Sequence, residues 1–144
     1  MSVQDKEIEE YIRNLAEAIN SRDIAFLEAV DAGRVGGFGW KSSAWRENSA
    51  GFKINYKQFF ETFEHYTTDY PEIHTWSDGN IGLAWGICTE SLQRKGDQPH
   101  KARMRFTFTL RKDSNGWHEL MYHRDIQPFN EDGRWLAELT RVNE

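Results

Sequence analysis

The stretch Arg103-Met104-Arg105-Phe106-Thr107-Phe108-Thr109-Leu110-Arg111, followed by Lys112 and the turn Asp113-Ser114-Asn115-Gly116, decides the fold. Met104, Phe106, Phe108 and Leu110 share one face of an extended chain. Arg103, Arg105, Thr107, Thr109 and Arg111 share the other, which is the period of a half-buried strand. The turn sends the chain back through a second strand over residues 117–127, and Pro128 stops it. Upstream, residues 81–93 read as another long strand ending at the turn Gly96-Asp97-Gln98-Pro99, and residues 73–76 as a short one.

The N-terminal part has a different period. Ile8, Tyr11, Ile12, Leu15 and Ile19 make one helical stripe over residues 5–20. Ser21 suits the cap of a second helix with Asp23 in its first turn, so that Ile24, Leu27 and Val30 face inward. Gly33, Gly36, Gly37 and Gly39 break that pattern and feed an irregular first strand through Phe38 and Trp40. Asn55 and Gln58 resemble a capping pair, and Tyr56, Phe59, Phe60 and Phe63 predict a third helix ending before Pro71. Trp135, Leu136 and Leu139 fit a short docking helix at the C-terminal end.

Helices first and long antiparallel strands afterwards predict an α+β architecture: three N-terminal helices packed on a strongly curved antiparallel sheet, a cone-shaped α+β barrel. No repeat or linker divides residues 1–144, which are read as a single domain. Six Trp, five Tyr and nine Phe among 144 residues supply the core and exclude a disordered chain. The strands carry apolar residues on both faces, for example Leu83, Trp85 and Ile87 opposite Ala84 and Cys88. A second copy covering the outer face, a homodimer, is therefore expected.

A net charge of −5 argues against binding nucleic acid, which needs a basic face. The longest uncharged apolar run, residues 81–88, is too short to cross a membrane. Residues 1–10 have neither the basic nor the apolar region of a secretory leader. The single cysteine, Cys88, excludes an internal disulfide and reads as a small core filler. A cytoplasmic location is the expectation. His65, His74, His100, His118 and His123 lack metal-ligand spacing, and the glycines at 33–39 lack the Gly-Lys-Ser/Thr of a phosphate loop, so neither metal nor cofactor is expected.

The order of elements resembles the nuclear transport factor 2-like superfamily in its SnoaL-like or ketosteroid-isomerase-like branch. The hairpin from Arg111 through Gly116-Trp117 to Tyr122-His123-Arg124-Asp125 carries the resemblance. Asn20-Ser21-Arg22-Asp23 and the run from Asp78-Gly79-Asn80 to Ala84 support it. The resemblance implies a cone-shaped pocket on a fold that hosts isomerases, cyclases, dehydratases and non-enzymatic association domains. Steroid isomerases of this type place a Tyr five residues before the Asn of the first motif, where this chain has Leu15. Their general-base Asp falls near Val35-Gly36-Gly37-Phe38. Classical ketosteroid isomerisation is therefore not expected. The run His123-Arg124-Asp125 also resembles the His-Arg-Ser of the calcium/calmodulin-dependent kinase II association domain, whose Arg points into the cavity.

Alternation puts His118, Leu120, Tyr122 and Arg124 on one face and His123 and Asp125 on the other, an assignment that a bulge, common in curved sheets, would reverse. Pairing Lys112 with Trp117 then sets Arg105 opposite Arg124 and Thr107 opposite Tyr122. Two adjacent guanidiniums favour an anionic or carbonyl oxygen between them, although both also suit structural ion pairs with Glu90, Glu119 or Asp125. On this reading Arg105 and Arg124 stabilise negative charge, Tyr122 donates a hydrogen bond, and His123 or Asp125 moves a proton. Trp40 and Trp85 form apolar walls. The expected function is a small-molecule-binding protein working as a cofactor-independent isomerase, cyclase or dehydratase through acid–base catalysis. The alternative is a non-catalytic ligand-binding or association module.

Overall fold

A computed structural model describes residues 2–39, 45–46 and 54–126. Helix α1 (Val3–Asn20) starts at a capping box, in which Ser2 and Asp5 satisfy each other's backbone N–H groups. It buries Ile8, Ile12, Leu15 and Ala18 along one face, the stripe expected. Ser21 closes this helix instead of opening the next, its N–H donating to the Glu17 carbonyl at 2.8 Å. The cap of α2 (Ile24–Gly33) is Asp23, which accepts from the Phe26 N–H at 3.2 Å. Asn20 clamps this junction to the sheet: its amide accepts from the Thr68 N–H at 2.8 Å and donates to the Thr68 carbonyl at 3.0 Å.

Helix α3 (Tyr56–Glu61) is capped by Asn55, which accepts from the Gln58 N–H at 3.1 Å. It stops at Glu61, well short of the expected end before Pro71, and Phe63 already belongs to a strand. The β-branched and aromatic residues Tyr66, Thr67, Thr68 and Tyr70 favour the extended chain, and rings 59, 60, 63 and 66 still pack across the junction. The strands are β1 (Gly36–Phe38), β2 (Trp45–Arg46), β3 (Phe63–Asp78), β4 (Ile81–Arg94), β5 (His100–Asp113) and β6 (Gly116–Ile126). Pro71 does not terminate β3. It sits in a bulge between the pairs Asp69↔Thr89 and Glu72↔Ile87, where a missing N–H is tolerated.

The six-stranded sheet has the order β2-β1-β6-β5-β4-β3. The four long strands, β3 to β6, pair antiparallel with one another, and β1 runs parallel to β6. Helix residues Ile8, Ile12, Leu15 and Leu27 meet Tyr70, Ala84, Cys88, Met104, Phe106, Phe108 and Leu110 of the sheet in one core. The α+β expectation of helices on a curved, mostly antiparallel sheet is met. Trp40 and the C-terminal segment with Trp135, Leu136 and Leu139 lie outside the described residues.

Lys112 pairs with Trp117 as expected, but the register does not continue unbroken. Leu110↔Glu119 is followed by Thr109↔Met121, so Leu120 is an extra residue in β6. From there on every partner moves by one. Arg105 faces Asp125 and Phe106 faces Arg124. The expected pairing of Arg105 with Arg124 is corrected: the two guanidiniums stand on opposite faces of the sheet.

Candidate functional site

The curved sheet and the helices enclose a cavity of about 520 Å³, within the range of small-molecule sites. Leu15 and Ile19 of α1, Leu27 and Val30 of α2, and Phe59 and Phe60 of α3 form its apolar walls. The sheet contributes the polar groups. Alternation along β4 turns Glu90 and Arg94 inward, with Leu92 buried between them. The extra residue in β6 lets Trp117 and Glu119 face the core before the bulge and Tyr122 and Arg124 face the cavity after it.

Two charge clusters meet there. In the first, the Arg34 guanidinium donates to Asp31 at 2.8 Å and to Glu119, while the Tyr56 hydroxyl donates to Asp31 at 2.7 Å. Arg34 lies over the Tyr122 ring, 4.6 Å from its centroid. Burial opposes the charge on Arg34, but Glu119 and Asp31 more than offset it and its pKa rises. Burial lifts the Asp31 carboxyl above the usual aspartate value, against the opposing pull of Tyr56 and Arg34.

In the second cluster, Arg124 donates to the Tyr70 hydroxyl at 2.7 Å and stands 3.8 Å from the Glu90 carboxylate. Its Nε is buried with no hydrogen-bond partner among the described residues, leaving a donor for another oxygen. Burial opposes its charge too, yet the Tyr70 hydroxyl oxygen that accepts from it and the nearby Glu90 and Glu119 carboxylates keep it a cation. Glu90 is 4% exposed. Burial raises its carboxyl above the ordinary glutamate value, while Arg124 and the Tyr66 hydroxyl pull it down. A carboxyl so placed can exchange a proton with a bound molecule under mild conditions. Cys88 is buried, its thiol pushed up to about 11, which leaves it an inert core residue.

The residues singled out by sequence divide between two faces. Tyr122 and Arg124 line the cavity. Arg105 is on the outer face, bound to Asp125 by two hydrogen bonds of 2.8 and 2.9 Å. His123 stands beside them, its Nε2 3.6 Å from Asp125, and packs edge-on to Phe38. Trp85 is 42% exposed and stacks on His74. It is not a cavity wall, because β4 turns the small residues Gly82, Ala84 and Cys88 toward the helices and the bulky ones outward. The fit there is close: a Cβ on Gly82 would come within 2.8 Å of Ile8 and 2.9 Å of Trp117. Glu90, Arg94, Arg34, Asp31, Tyr56 and Tyr66 were not picked out as site residues. The signal for Glu90 and Arg94 is a pair of charged residues at in-facing positions flanking Leu92, past the apolar run of β4.

Helices closing a curved sheet around an apolar cavity with convergent acid, guanidinium and phenol groups define the cone-shaped class of α+β folds. The SnoaL-like domain profile matches residues 8–125. The chain therefore belongs to the SnoaL-like family. No curated protein matches it in sequence. Among solved structures it is similar to a nuclear transport factor 2-like superfamily protein from Salmonella enterica, with TM-score 0.71 and 16% identity over 90% of this chain and 94% of that one. It is also similar to a candidate scytalone dehydratase from Novosphingobium aromaticivorans, with TM-score 0.75 and 8% identity over 85% and 83% of the two chains. A candidate calcium/calmodulin dependent protein kinase II association domain from Xanthomonas campestris superposes with TM-score 0.71 and 15% identity over 85% and 86%. At these identities the likeness is one of fold. No helix among the described residues is long and apolar enough to cross a membrane.

Proposed function

We propose that the cavity binds a small, mostly apolar organic molecule bearing a carbonyl or anionic oxygen, and that the protein acts on it by acid–base catalysis of the isomerase, cyclase or dehydratase kind. The supporting observation is Glu90, a buried carboxyl in the cavity wall with a raised pKa and a guanidinium 3.8 Å away. Glu90 takes a proton from the carbon beside the ligand carbonyl. Arg124, through its unpartnered Nε, and Tyr122 hold the negative charge that develops on the oxygen. The proton then returns to another carbon in an isomerisation, or joins a departing β-hydroxyl as water in a dehydration. Neither route needs an external oxidant or reductant. His123, Asp125 and Arg105 lie on the outer face and take no part.

The test follows proton exchange, so the natural substrate need not be known. Ring-bearing β-hydroxy ketones are incubated with the protein in D₂O, and the α-proton signal is followed by NMR. Wild-type protein should catalyse its loss, and Glu90→Gln should slow exchange by about 10²-fold or more while ligand affinity persists. Equal exchange by the two proteins would remove Glu90 from the mechanism. Tight binding with no exchange by either would favour a ligand-binding module. A second reading, self-association through the outer sheet face, is supported by the exposed Trp76, Trp85, Phe38 and Met121 and is compatible with the first.

A further inference from the structure

We infer that Arg94 makes the cavity selective for organic anions, so that the ligand carries a carboxylate or sulfonate at the end opposite the carbonyl that Glu90 and Arg124 address. This inference rests on the proposed ligand-binding cavity. Three guanidiniums line it, and they are differently occupied. Arg34 holds Asp31 and Glu119, and Arg124 has Glu90 and Tyr70. Arg94 has no ion pair among the described residues, and its Nε is buried without a hydrogen-bond partner there. Its guanidinium lies 6.0 Å from the centroid of the Phe63 ring. That ring is packed in turn against Phe59 and Tyr66, at 5.2 and 5.0 Å.

This combination suits one kind of ligand. A planar fork of N–H donors with no carboxylate partner among the described residues matches the geometry of a carboxylate or sulfonate. The aromatic cluster beside it suits an adjoining ring. Glu90 and Arg94 are four residues apart on one face of β4, which separates their backbones by about 13 Å. A ligand of one or two rings spans that distance, with its anionic end on Arg94 and its reactive carbon near Glu90. The acidic overall charge of −5 makes a general affinity for anions a poor alternative explanation, because the bulk surface repels them.

Two dyes of nearly the same shape test this: 1-anilinonaphthalene-8-sulfonate and its uncharged counterpart N-phenyl-1-naphthylamine, each titrated by fluorescence. Wild-type protein should bind the sulfonate about tenfold more tightly. Arg94→Gln should abolish that preference and leave the neutral dye within about twofold, and Arg94→Lys should keep part of it. Circular dichroism confirms that each variant is folded. Leu27→Trp, which fills the cavity, should displace both dyes. If Arg94→Gln leaves the preference intact, or weakens both dyes alike, the role of Arg94 is overturned while the cavity reading stands. If neither dye binds wild-type protein, or both still bind Leu27→Trp unchanged, the cavity reading fails and takes this inference with it.

Discussion

Arg34 illustrates what a buried charge does in this protein. Its side chain is 10% exposed and those of Asp31 and Glu119 are 5% and 0% exposed, so each carboxylate depends on the guanidinium for solvation. Arg34→Ala should cost about 3–5 kcal/mol in urea unfolding, because two carboxylates would be left uncompensated. A loss below 1 kcal/mol would mean that water reaches them. Glu90 gives a pH signature of opposite character. Its native pKa is raised by burial, so the folded state binds the proton more tightly than the unfolded state does. Its contribution to stability is fullest below the unfolded value of about 4.3. It declines as pH rises toward the native value and is flat beyond. Asp31 shifts in the same direction, and comparison with Glu90→Gln separates the two. Glu90→Gln should therefore become progressively more stable relative to wild type between about pH 4 and the native pKa of Glu90. Parallel pH profiles would remove burial as the source of the shift. Tyr122 and Arg124 were legible from sequence because strand alternation names a face. Arg105 was misplaced because one extra residue, Leu120, shifts the register, and nothing in the local sequence marks such a bulge.

The same limit operates on whole elements. β5 and the hairpin were legible because alternation is clean from Arg103 to Arg111 and the turn chemistry is strong. Helix α3 was read too long because Phe59, Phe60 and Phe63 touch one another across a helix–strand junction, which imitates helical spacing. The extent of β3 was hidden by Pro71, normally a strand breaker, whose bulge is matched by the opposing strand. Gly86, with φ +153°, sits against that bulge, and a Cβ there would come 2.0 Å from the Glu72 carbonyl oxygen. No side chain can occupy that space unless the backbone moves. Gly86→Ala should therefore cost about 1–3 kcal/mol, measured by urea unfolding. It should also weaken dye binding in the cavity, since the bulge bends the sheet that forms the cavity wall. An unchanged midpoint would show that the bulge can slide to another register.

At the scale of the whole molecule, the two faces of the sheet do different work. The inner face is consumed by the helices and the cavity. The outer face presents a row that crosses five of the long and short strands: His74, Trp85, Thr107, His123 and Phe38 are successive cross-strand partners. Trp76, Leu83, Thr109 and Met121 form the row beside it. Phe38, Trp76, Trp85 and Met121 are each more than 40% exposed, four large apolar side chains on one sheet face with the threonines of β5 between them, a mixed surface that suits an interface. The Arg105–Asp125 pair lies in the next row, alongside Ile87 and Glu72, and gives the patch a polar margin, as at the rim of an interface. If two copies meet there, face to face about a two-fold axis, each tryptophan is desolvated once per subunit. Sedimentation at micromolar concentration should then return the mass of two chains. Trp85→Glu, which buries a charge at the centre of the contact, should return one. Its neutral-dye affinity should remain that of wild type, because Trp85 points away from the cavity. A wild-type monomer at micromolar concentration would contradict the dimer. Loss of dye binding together with dissociation would instead show that the cavity needs the second copy to hold its shape.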